Sequence, residues 1–197
     1  MFECIILAGG SGERFGQKKQ FVEYKGKPLW RHVYDKCVLA ASEDIHVVGV
    51  DLPGGKTRQE SVLCGLQNVK SNKVVILEAA RPLVTIEQIL TIAHFNSRSI
   101  SFIAPSVETI IYRGNEYFDR NDCQILQVPQ AFCTNLLLDA HKKTSMTNAT
   151  DDTILMAKVH GISPDLIPGG HNLFKVTYPL DLKIIEHIDE NYSNNRR

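Results

Sequence analysis

Short apolar runs alternate along this chain with stretches whose apolar residues recur every three or four positions. Residues 3–7 (ECIIL) form the first run and read as a strand. Over 28–41, Trp30, Val33, Tyr34, Cys37 and Val38 fall at helical spacing, and Pro28 suits a first turn. The alternation continues with a strand over 45–50, a helix over 60–69 with Val62, Leu66 and Val69 on one face, and a strand over 74–77. A helix over 86–94 and a strand over 100–104 follow.

Beyond residue 105 the pattern weakens. Segments 109–112 and 124–128 read as short strands around a polar excursion, a short arm within 109–128. Residues 134–141 read as a helix, 142–150 as a polar loop, and Thr150 or Asp151 as the cap of a helix reaching residue 159. A strand over 174–177 and a helix over 179–190 close the pattern, and 191–197 reads as a frayed tail. Strand–helix alternation predicts an α/β fold: a three-layer, Rossmann-like, mostly parallel sheet with helices on both faces, in a single domain over 1–190. Ligands of such sheets bind at the carboxyl ends of the strands. The loop after the first strand is therefore at the expected site.

Composition narrows the function. The 22 basic and 22 acidic residues cancel, which argues against wholesale binding of nucleic acid or a membrane surface. No apolar run approaches the roughly 20 residues of a membrane span. The five cysteines form no C-x-x-C pair and no zinc-type cluster, which suits a reducing compartment, and the expected location is cytoplasmic. The seven histidines are isolated.

Within "LAGGSGERFGQKKQF", 7–21, glycines 9, 10 and 12 are followed by Arg14, Lys18 and Lys19. No glycine satisfies the P-loop spacing, and Phe15 stands where the dinucleotide fingerprint needs its third glycine. Glycine lets backbone N–H groups approach an anion, and the basic side chains neutralise it. The loop reads as a phosphate cradle of another kind.

This opening resembles the signature A-[AG]-G-x-G-x-R-[MF] followed by P-K-Q-[FY] of sugar-nucleotide pyrophosphorylases and related nucleotidyltransferases. More closely, it is similar to the 2-C-methyl-D-erythritol 4-phosphate cytidylyltransferase family, which includes ribitol-5-phosphate cytidylyltransferases. "GGKTRQESVLCGL" (54–66), "EAARPLVT" (78–85), "APSVET" (104–109), "DRN…VPQAF" (119–132), "ATDD" (149–152) and "FKVTYPLDL" (174–182) resemble further family motifs in order, over residues 3–190. The chain departs at Glu78, where the family has a metal-associated aspartate, and at Lys18, Val107 and Leu173. The arm is short, and the second strand runs almost directly into "GGKTRQES".

The resemblance implies a nucleotide-diphospho-sugar transferase fold and transfer of CMP from CTP to a polyol phosphate, with release of pyrophosphate. It implies that Arg14, Lys19 and Lys175 serve the phosphates. Ala8, Gly9, Gly10, Ser11, Gly12, Gly54, Gly55 and Ser61 would bind CTP. Arg81, Thr109, Arg120 and Thr150 would bind the acceptor, Arg120 across a homodimer. Glu78 is the candidate for Mg²⁺, an ion that prefers oxygen ligands. The residues themselves leave alternatives. Lys175 has the lesser alternative of a strand-edge lysine reaching water and Ser61 that of a helix cap; Arg58 could support its loop, and Asp151 and Asp152 read as a helix N-terminus rather than a metal pair. The acceptor that the resemblance implies is 2-C-methyl-D-erythritol 4-phosphate, or alternatively ribitol 5-phosphate or another polyol or phosphonate. A nucleotide-binding regulatory protein without turnover is the competing class.

Overall fold

The computed structural model describes residues 1–114 and 116–194, with side chains up to Asn191. Strand β1 (Glu3–Leu7) opens the chain. Two short 3-10 turns (Glu13–Phe15 and Lys19–Phe21) and a small hairpin, β2 (Glu23–Tyr24) with β3 (Lys27–Pro28), lead into α1 (Leu29–Leu39). Then come β4 (Ile45–Val48), α2 (Arg58–Leu66), β5 (Lys73–Glu78), α3 (Ile86–His94) and β6 (Ser99–Pro105). An arm of β7 (Ile110–Tyr112) and β8 (Glu116–Phe118) precedes β9 (Gln124–Cys133), α4 (Thr134–Lys143), α5 (Asp152–His160), β10 (Asp165–Pro168) and α6 (Asp181–Asn194).

Six strands form the central sheet in the order β10-β6-β9-β5-β1-β4. β1 pairs parallel with β4 and β5, and β10 parallel with β6; β9 alone runs against its neighbours. Both faces are covered, which explains the continuous apolar runs. Alternate residues of one strand serve opposite layers. Cys4 and Ile6 of β1, with Val75 and Leu77 of β5, pack toward α1 and α3. Ile5, Val74 and Ile76 pack toward α2, α4 and α5. A third cluster joins Phe15, Tyr24, Leu29 and Leu83 to Val176 and to Ile185 of α6, and so fastens the first loop to the end of the chain.

The mostly parallel sheet and the short arm agree with the sequence pattern. Several local expectations change. Residues 174–177 are not a strand: Val176 N–H donates to Ala80 O at 2.8 Å, but no ladder follows. The edge position belongs instead to β10, bounded by Pro164 and Pro168, residues that an edge strand tolerates. The strand expected to end at residue 128 runs on to Cys133 through a cis Val128–Pro129 bond. Finally, α6 continues past Glu190 to Asn194, while residues 195–197 of the expected tail lie outside the described residues. No helix among the described residues is long and apolar enough to cross a membrane.

Candidate active site

The carboxyl ends of β1 and β5 open onto a cavity of about 690 Å³. The loop after β1 forms one wall. Gly12 has φ +77°, and a Cβ there would stand 1.8 Å from Gln17 O, so the chain can fold back only with glycine. Gln20 is buried and donates to Gly10 O at 3.2 Å, which holds the loop in place. The second glycine loop forms the opposite wall. A Cβ on Gly9 would lie 3.3 Å from Gly54 Cα and 3.7 Å from Ser61 Oγ, so the two loops touch. Ser61 Oγ accepts from Gly55 N–H at 3.1 Å and donates to Thr57 O at 3.0 Å. The cap of α2 is Thr57, whose side chain accepts from Glu60 N–H, so Ser61 is free of that duty.

Arg14 is exposed at the mouth of the cavity. Lys19 is half-buried, and its Nζ donates to Val176 O at 2.8 Å. Burial, aided by the nearby charges of Lys175 and Arg14, lowers the pKa of Lys19. Lys175 enters from the 174–177 segment and meets Glu78 at 2.9 Å. Lys175 is thus neither a strand residue nor a simple solvated lysine.

Glu78 is the electrostatic centre of this floor. Its carboxylate is also 3.2 Å from Arg81 Nε and 3.9 Å from Arg58 Nε. Burial pushes the carboxyl pKa up, but Lys175, Arg81 and Arg58 outweigh it and hold it at about 2. Arg81 also donates to Leu173 O. Arg58 Nη1 donates to Asp152 at 2.7 Å, and Asp152 accepts from His141 Nε2 at 3.0 Å. Asp151 caps α5 by accepting from Thr153 N–H, so the helix-terminus reading describes Asp151, and Asp152 is a buried ion-pair partner.

Of the residues expected from the sequence, Ala8, Gly9, Gly10, Ser11, Gly12, Arg14, Lys19, Gly55, Ser61, Glu78 and Lys175 line one cavity. Gly54 stands just behind it, against Gly9. The acceptor set is dispersed. Arg81 is tied to Glu78 and Leu173, while Thr109, Arg120 and Thr150 are exposed and do not line the cavity. Arg120 donates to Val107 O at 3.2 Å near the arm. Gln20 and Thr177 also line the cavity; Gln20 stands at the glutamine of the P-K-Q-[FY] signature and Thr177 within "FKVTYPLDL", and neither is assigned a role from the sequence. Arg58 lies within the motif match "GGKTRQESVLCGL", which is a signal for it.

The donor set bears on the Mg²⁺ expected at Glu78. Three cationic groups surround this carboxylate, and the other carboxylate lining the cavity, Glu13, is exposed. A dication bound directly to Glu78 would stand among like charges, and the residues do not fit that role. Among the described residues, ligand atoms gather in a group of three only at Glu3, Asp44 and His46, at the opposite end of the strands. There Glu3 accepts from Lys70 N–H, Ser71 N–H and His46, which accounts for it as a structural anchor.

Comparison with known proteins gives a consistent picture. The family model IspD, 2-C-methyl-D-erythritol 4-phosphate cytidylyltransferase, matches residues 39–191, and that of the MobA-like NTP transferase domain matches residues 4–57. The 2-C-methyl-D-erythritol 4-phosphate cytidylyltransferase of Aquifex aeolicus is 32% identical over 95% of this chain and 97% of its own length. That of Clostridium botulinum (strain Loch Maree / Type A3) is 34% identical over 94% and 96%. Among solved structures, the enzyme of that name from Thermus thermophilus superposes with a TM-score of 0.78 at 23% identity, covering 94% of this chain and 98% of its own. The bifunctional IspDF of Campylobacter jejuni gives 0.81 at 24% identity; 92% of this chain is covered, but only 53% of that one.

Proposed function

The chain belongs to the 2-C-methyl-D-erythritol 4-phosphate cytidylyltransferase family of nucleotidyltransferases, and on that premise we propose that its cavity transfers CMP from CTP to 2-C-methyl-D-erythritol 4-phosphate. The observation that carries this reading is the convergence of Arg14, Lys19 and Lys175 beside two touching glycine loops.

A phosphate oxygen of the acceptor attacks the α-phosphorus of CTP, the bond to the β-phosphate oxygen breaks, and pyrophosphate leaves. The acceptor phosphate is already ionised at neutral pH, so no general base is needed. Catalysis then rests on positioning and on stabilising charge in the transition state. Backbone groups at Ala8, Gly9, Gly54 and Gly55, with the Ser61 hydroxyl, are our candidates to read cytosine. The loop Gly10–Gly12 and Arg14 would face the triphosphate. Lys19 would exchange Val176 O for phosphate oxygens when nucleotide binds, while Lys175, held by Glu78, would direct its ammonium to them from that pairing. Glu78 serves in this scheme as the anchor of the cations. A Mg²⁺ ion would enter with the substrate phosphates, and no step here depends on it.

Thr109, Arg120 and Thr150 do not line the cavity of this chain. We propose a homodimer in which the exposed arm brings Arg120 to the partner's site, with Thr109 and Thr150 completing acceptor binding. Arg81 would then act from behind, through Glu78. We place the reaction in the cytoplasm, where the free cysteines would remain reduced.

Pyrophosphate release tests the proposal. CTP with 2-C-methyl-D-erythritol 4-phosphate should give turnover, and ribitol 5-phosphate much less. Turnover with ribitol 5-phosphate alone would move the acceptor assignment. None with any polyol phosphate, despite CTP binding, would favour a regulatory protein.

A further inference from the structure

Beneath the floor of the cavity, charges alternate in sign from Lys175 through Glu78 and Arg58 to Asp152, with His141 beyond. The chain of contacts joins the end of β5 to the first turn of α2, the first turn of α5 and the last turns of α4. Arg58 is its middle member. Arg58 lines the cavity, yet its shortest contact, 2.7 Å, is made to Asp152, which is 1% exposed and does not line it. Arg58 Nη2 is buried and has no hydrogen-bond partner. A simple staple between α2 and α5 would need neither the second carboxylate at 3.9 Å nor a place in the cavity wall.

The geometry fits a different task. Asp152 is fixed by His141 and by its own helix, so it gives Arg58 a rigid abutment. Arg58 then opposes Lys175 and Arg81 around Glu78, and the three cations together set where that carboxylate stands. Moving Glu78 would move the Lys175 ammonium paired with it. We propose that Arg58 is a positioning residue of the transfer reaction, anchored by Asp152 and acting through Glu78 on Lys175. The proposal rests on the cytidylyl-transfer reading above.

Arginine and lysine are not equivalent at a forked contact, so Arg58→Lys keeps a charge while losing one limb of the bridge. Misplacing a catalytic group by about 1 Å costs up to roughly 100-fold in rate, so kcat should fall at least about tenfold in Arg58→Lys. Asp152→Asn should do the same, and CTP affinity by calorimetry should change little in either. The double variant should be no slower than the slower single variant, because both residues act through one network. A core control, Ile92→Val in α3, should lose thermal stability without losing kcat.

Independently of turnover, the ¹³Cε resonance of Lys175, assigned with Lys175→Arg, should shift in ligand-free Arg58→Lys. Unchanged kcat with only a lower Tm would reduce Arg58 to a staple, and additive losses would separate it from Asp152. An unmoved Lys175 resonance would overturn the link even if Asp152→Asn fails to fold. An inactive wild-type protein would instead sink the transfer reading, and the resonance would still decide the role of Arg58.

Discussion

The two halves of the proposed site are built differently. The nucleotide half is a cavity at the rims of β1 and β5 with a buried floor at Glu78, held by contacts within one chain. Both of its lysines already have partners: Lys19 has Val176 O, and Lys175 has Glu78. The acceptor half is open. Thr109, Arg120 and Thr150 are exposed, and the arm beside two of them shows Ile111, Tyr112, Tyr117 and Phe118 to solvent. A preorganised half stores electrostatic stabilisation before substrate arrives. An open half, with apolar side chains exposed on a two-stranded arm, suits completion by another copy of the chain.

The strongest way to break this contrast is to damage the preorganised half. Lys19→Ala should lower kcat by about 10²- to 10³-fold with the fold intact by circular dichroism, because its charge acts mainly in the transition state. Wild-type-like kcat in that variant would remove Lys19 from the site.

The next test addresses the open half. Arg120→Ala and Lys19→Ala should each be weak alone. After subunit exchange, the mixture should recover up to about a quarter of full activity, since half of randomly mixed dimers carry one intact site. Demonstrated exchange without recovery, or a monomer by light scattering, would return the acceptor half to a single chain.

A smaller effect is expected at the junction of the two glycine loops. Ser61→Ala removes the hydroxyl that joins Gly55 N–H to Thr57 O. The KM for CTP should rise by about fivefold to tenfold, the scale of one lost hydrogen bond, with kcat nearly kept. Thermal protection by CTP should also fall toward that given by UTP, ATP and GTP. Undiminished preference for CTP would show that Ser61 does not read the base.

The smallest effect concerns the brace behind the floor. Lys36 of α1 donates to Pro82 O, in the loop that follows Glu78. Burial lowers its pKa from 10.5 to about 8, with Asp189 opposing the shift. Between these values the unfolded chain holds more protons, so this group makes stability rise with pH from about 8 to 10.5. Below about pH 8 its burial penalty is present in full. The Tm difference between wild type and Lys36→Met should therefore change across that window, in favour of wild type as pH rises. A difference independent of pH would contradict the assignment.

The same contrast explains what the sequence can tell. The expected bounds of β1 and α3 match the structure because their apolar periods are set locally and buried on defined faces. Lys175 stands out in the sequence as a lysine in an apolar segment, but that segment is not a strand. Bonds from Val176 N–H to Ala80 O and from Lys19 Nζ to Val176 O, with a place in the cluster of Phe15 and Leu83, help hold it, and all of these are long-range facts. Arg58 and Asp152 lie within motifs, yet their pairing spans 94 positions and no local pattern shows it. Thr57 rather than Ser61 caps α2, a choice between two neighbouring hydroxyls that backbone geometry makes. For Arg120 and Thr150, exposure in one chain gives the sequence no burial signal to carry.

The central claim is a displacement at the α-phosphorus of CTP. CTP labelled with ³²P at that atom tests it most directly, with 2-C-methyl-D-erythritol 4-phosphate as acceptor and Mg²⁺ present. The account predicts that the label moves quantitatively into a cytidine diphosphate ester of the polyol, while the released pyrophosphate carries none. Label that stays in CTP, or appears as free CMP or in pyrophosphate, would contradict it.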